Sequence, residues 1–151
     1  MAYQSLVVDR VFFVRWQSPV MSDVLPLLRA VQKAAAKVGG PVVGVSILPE
    51  DSPPPTDDVR KAMARSMEDM LAATDSLHFI MEGDGFRHSI GRNALATILL
   101  FSANRKRIFV HPTVHAALTS VANKLTKSVP EILDAASKQG ILSQKATARP
   151  R

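Results

Sequence analysis

With 46% hydrophobic and 21% charged residues, a chain of 151 residues has the size and balance of one globular domain rather than of a disordered segment. It contains no cysteine, which excludes disulfides, thiolate metal ligation and a cysteine nucleophile. The net charge of +6 is unevenly placed: residues 1–84 carry eight Lys/Arg against eleven Asp/Glu, and residues 85–151 carry eleven against two.

Asp9, Arg10 and Arg15 interrupt the apolar runs that a secretory signal would need. The longest strongly apolar helical stretch, Ala94 to Ala103, is about half of the roughly 20 residues that span a bilayer, so a cytoplasmic protein is expected.

Leu6 to Val8 and Val11 to Trp16 are short runs rich in β-branched and aromatic residues, and with Asp9-Arg10 between them they read as a hairpin or as one bent strand. Ser22 is placed to cap a helix with Asp23 in its first turn, where Pro26 is tolerated, and Gly39-Gly40-Pro41 ends it. Val42 to Leu48 is compact, apolar and bounded by prolines, as a central strand buried on both faces would be. The segment Pro49 to Thr56 cannot be regular structure, because consecutive prolines oppose both helix and paired strand.

Thr56 is expected to cap a second helix whose buried face carries Val59, Met63, Met67, Met70 and Leu71, the methionines serving as core. Leu77 to Met81 reads as a strand leading into the polar turn Glu82 to Gly85. A third helix follows from about Phe86 to Asn104, then a strand from Ile108 to Val110. Pro112 is expected to open a helix whose face includes Val114, Leu118, Val121 and Leu125. A last helix starts at the capping box formed by Ser128 and Glu131 and stops at Gly140, and a basic flexible tail is expected over 143–151.

The order ββαβαβαβα plus a C-terminal helix implies a single α/β domain over 1–142, with a mixed, mostly parallel sheet and an antiparallel edge. Over about residues 5–125 this order resembles the STAS fold of anti-sigma-factor antagonists and of sulfate-transporter domains. The features that carry the resemblance are the strand pair ending at Trp16, the helix entered through Ser18-Pro19 to Asp23, and the apolar strand Val42 to Leu48 followed by a loop and a helix. The resemblance implies a non-enzymatic regulatory module that binds a protein partner or itself. Its phosphorylatable serine segment corresponds to Glu50 to Thr56 here, where Asp51-Ser52 is retained but the glycine is replaced by prolines. Partner binding is therefore expected through Asp51, Ser52, Thr56, Asp57, Asp58, Lys61 and Arg65.

Two other readings stay open. Glu82, Asp84, Arg87 and His88 lie after a predicted parallel strand and together could serve acid/base chemistry or bind a small ligand. The basic second half, with Arg105-Lys106-Arg107, Arg87, Arg92, Lys124 and Lys127, could meet an anionic polymer or lipid surface, although few aromatics are left for base stacking and nucleic acid is not the expected partner. Gly83-x-Gly85 lacks the remaining features of a nucleotide loop. His111 and His115 stand four apart, but no cysteine or intervening glutamate completes a metal site, and His78 sits alone in a strand; no cofactor or metal is expected.

Overall fold

The computed structural model describes residues 3–17, 21–49, 56–82 and 105–142. The described strands are β1 (Tyr3–Val8), β2 (Val11–Trp16), β3 (Val42–Leu48), β4 (Thr74–Met81) and β5 (Ile108–His111). They form one sheet in the order β1-β2-β3-β4-β5, antiparallel only between β1 and β2. The described helices are α1 (Met21–Val38), α2 (Asp57–Ala72), α3 (Val114–Ser120) and α4 (Val129–Lys138). The expected mixed α/β architecture, with β3 in the middle and an antiparallel edge, is what the chain adopts.

Both faces of the sheet are covered. α1 joins β2 to β3 and α2 joins β3 to β4, so right-handed crossovers in one direction put both helices on the same face. There Phe12, Val14 and Trp16 pack with Leu27 and Val31 of α1, while Met67 and Leu71 of α2 meet Leu77, Phe79 and Met81. On the opposite face Phe13, Val43, Val45, Ile47 and Ile80 lie under Val114 and Leu118 of α3 and Ile132 and Ala136 of α4. Burial on two sides explains why β3 reads as one apolar run: Val42, Val43, Val45 and Ile47 are all at most 2% exposed. Each such side chain contributes about 1.5–3 kcal/mol.

Local signals account for most element ends. Asp9 has φ 55°, in the left-handed region that a short aspartate side chain tolerates, and this closes the hairpin between β1 and β2. Gly39 and Gly140 hold φ of 85° and 77° just beyond α1 and α4. Ser128 and Glu131 form the expected reciprocal capping box at the start of α4.

Four expectations about helix ends need correction. α1 begins at Met21, so Ser22 lies inside it and Pro26 falls in its second turn. Pro26 has no N–H to give the Ser22 carbonyl, and the structure places that loss on the exposed side of the helix. Thr56 occupies the N-cap position of α2, but its hydroxyl makes no capping bond. α3 opens at Thr113, whose side chain accepts from the Ala116 amide, rather than at Pro112, and it ends at Ser120 before a 3-10 turn over Ala122–Lys124. Beyond that turn the Asp9 carboxylate accepts from the Thr126 and Lys127 amides at 2.8 and 3.1 Å. The expected third helix, the Gly83-to-Gly85 turn and the tail from 143 lie outside the described residues.

Candidate functional site

α2 starts beyond the carboxyl end of the central strand and presents two unlike faces. Val59, Ala64, Met67 and Leu71 are buried, the last two against β4. Thr56, Asp57, Asp58, Lys61, Arg65 and Glu68 are exposed, and the spacing 57, 61, 65, 68 makes them one charged stripe along the helix. Asp57 and Asp58 stand in the first turn, where the helix dipole favours negative charge, and Arg60 folds back onto Asp57. Of the expected partner-binding residues, Thr56, Asp57, Asp58, Lys61 and Arg65 thus share one surface, while Asp51 and Ser52 lie outside the described residues.

The same end of the sheet carries an ion pair that the sequence does not advertise. Arg15, Ile47 and Ile80 lie side by side across β2, β3 and β4, and Glu82 follows Ile80 by two residues, so Arg15 and Glu82 emerge on one face. Arg15 Nη2 donates to Glu82 Oε1 at 2.8 Å, with the side chains 20% and 10% exposed. The Glu82 amide donates to the Leu48 carbonyl at 3.0 Å, which holds the exit of β4 against that of β3. Among the described residues, buried Arg15 Nη1 meets no hydrogen-bond partner. Glu82 is thus partnered by a residue 67 positions away, and Asp84, Arg87 and His88, its companions in the ligand-site reading, lie outside the described residues.

A second polar cluster lies under α3. The register aligns Phe13, Val45, His78 and Phe109 in one row across four strands, so His78 is embedded among apolar neighbours and is 2% exposed. Its Nδ1 lies 2.9 Å from His111 Nε2, its Nε2 lies 2.8 Å from Ser76 Oγ, and the Phe109 ring stacks on it at 5.2 Å. One proton order satisfies the whole chain: His111 donates to His78, His78 to Ser76, and Ser76 to Asp75 Oδ2 at 3.4 Å. Burial, reinforced by His111 and Lys124 and opposed by Asp75, lowers the His78 pKa to about 4, and burial lowers that of His111 as well. Both rings are therefore neutral near pH 7. In the sequence His78 stands alone in a strand, and only the β4–β5 register reveals its partner. Among the described residues no group of three His, Cys, Asp or Glu comes together as a metal site.

The basic residues divide by task. Arg107 donates from Nε to the Asp75 carbonyl at 3.0 Å, and from Nη2 to the carbonyls of Leu71 at 2.7 Å and of Thr74. Lys124 donates to Asp75 Oδ2 at 2.5 Å; this bond outweighs burial and holds the Asp75 carboxyl below its usual range. Two cations of the suspected anionic-polymer patch are thus engaged within the fold. Lys106 is exposed, and Arg87 and Arg92 lie outside the described residues. No described helix is long and apolar enough to cross a membrane.

No family model matches the chain, and no curated protein matches it.

Proposed function

We propose that this chain is a non-enzymatic, STAS-like interaction module that docks a protein partner on the outer face of α2 and the segment 49–56 leading into it. The observation that carries the reading is the charged stripe Asp57, Asp58, Lys61, Arg65 and Glu68, set on a helix whose inner face is locked to the sheet directly after the central strand. Charges of both signs in a fixed order on a rigid helix select a complementary partner and reject like-charged ones, with little call on apolar area. The order of strands and helices that motivates the STAS comparison accompanies this surface. The small-ligand reading at Glu82 has less support, because that carboxylate is held by Arg15.

The test is charge reversal on the stripe. Lys61→Glu with Arg65→Glu is expected to weaken capture of a partner at least tenfold, while Lys138→Glu on α4 leaves capture unchanged and all three proteins melt within a few degrees of one another. Equal capture of every partner, copies of the chain itself included, by wild type and the α2 double variant would refute the proposal.

A further inference from the structure

The methionines of α2 do more than fill the core. Between α1, α2 and the sheet lies a cavity of about 60 Å³ walled by Phe12, Trp16, Leu27, Met63, Met67 and Phe79. The few polar groups around it are already engaged. Ser46 Oγ accepts from the Trp16 indole N–H at 2.8 Å, Ser66 Oγ donates to the Ala62 carbonyl at 3.0 Å, and Thr74 Oγ1 donates to the Met70 carbonyl at 3.0 Å. A buried water needs two to four polar partners, which this lining does not offer, so an apolar occupant is favoured over water.

Size narrows the class of occupant. An apolar cavity of about 150 Å³ accepts a benzene ring. The space here is less than half of that, too little at rest for a six-carbon ring and enough for only the last two or so carbons of a chain. Met63 and Met70 are only partly buried, as are Val24 and Ser66, and these four mark the solvent side of the cavity. Methionine side chains are unbranched and change shape at low cost, so this wall can lengthen the space around a flexible guest. Gly44 also contributes, because a Cβ there would come within 2.5 Å of Leu77 Cδ2, and both residues line the cavity.

We infer that this cavity is a binding site for the end of an alkyl chain, which enters between α1 and α2 with its polar head left at the solvent side. The site is separate from the charged stripe, since it uses the inner face of α2.

The test follows methionine-methyl and Trp16 indole NMR shifts during titration with straight-chain alcohols from 1-butanol to 1-octanol, and with benzene. Saturable shifts confined to Met63, Met67, Met70 and Trp16 are expected, with affinity rising about fourfold per added methylene until the space is filled. Gly44→Ala, whose Cβ crowds Leu77 on the cavity wall, is expected to weaken binding at least tenfold. Met63→Ala, which enlarges the solvent side, is expected to admit benzene, and its fold does not depend on the crowding at Gly44. Shifts that do not saturate, or affinity independent of chain length in the wild type, would overturn the site. Benzene binding as tightly as 1-hexanol to the wild type would overturn the chain assignment.

Discussion

A histidine with its ring in a row of apolar side chains makes stability depend on pH in a defined direction. The folded His78 pKa is about 4 against an unfolded value of 6.5, so the folded state resists a proton that the unfolded state accepts. Its contribution is complete above pH 6.5 and is lost as pH falls toward about 4, a change of up to about 3 kcal/mol. Urea unfolding between pH 7 and pH 4.5 is expected to show this loss in the wild type and a shallower slope in His78→Phe, which keeps the stack on Phe109 but cannot titrate. Identical slopes would show that His78 does not govern acid sensitivity. Little of this was visible from the residue itself: alternation with Leu77 and Phe79 places His78 on the other face, but whether that face is wet or dry depends on what packs there.

At the scale of elements, α2 and β4 are joined by a tight connection whose carbonyls need donors. Ala73 N bonds back to Met70 O, the Thr74 hydroxyl does the same, and the Arg107 guanidinium collects Leu71 O, Thr74 O and Asp75 O. A cation at a helix C-terminus also complements the dipole. Arg107→Met leaves several carbonyls without this donor and is expected to cost about 2–3 kcal/mol by chemical denaturation. Arg107→Lys is expected to recover only part of that, since an ammonium cannot reproduce the planar fork. A loss under about 0.5 kcal/mol in Arg107→Met would show that solvent replaces the guanidinium freely. In the sequence Arg105-Lys106-Arg107 is a uniform basic run, and only the packing of β5 beside β4 sets Arg107 apart from the exposed Lys106.

For the whole molecule, one side chain adds a polar tie between the layer of α3 and α4 and the opposite end of the chain. The Asp9 carboxylate accepts from the Thr126 amide and hydroxyl and the Lys127 amide, across more than 115 residues of sequence. Burial alone would raise the Asp9 pKa, but these bonds and the Lys127 charge outweigh it and hold the carboxyl below its usual range. Asp9→Gly removes the bonds but keeps the left-handed turn available, and is expected to destabilise by about 1–2 kcal/mol. Asp9→Ala is expected to lose roughly 1 kcal/mol more, because its Cβ is strained at φ 55°. Equal melting temperatures for the two variants would show that backbone strain at residue 9 contributes nothing.

What could be read from the chain alone was whatever is encoded within a few residues. β-branched runs marked β2 and β3, Gly39-Gly40-Pro41 marked the end of α1, Ser128 with Glu131 marked the start of α4, and apolar periodicity turned one side of α2 inward, leaving Asp57, Asp58, Lys61 and Arg65 outside. These signals suffice for the type and order of the described elements, and hence for the α/β class, because periodicity and capping are short-range properties of the backbone. The meetings of Arg15 with Glu82, His78 with His111, Asp9 with Thr126 and Arg107 with the end of α2 were decided by strand register and layer packing. Register is set by the summed burial of whole strands, so no local window of sequence contains it.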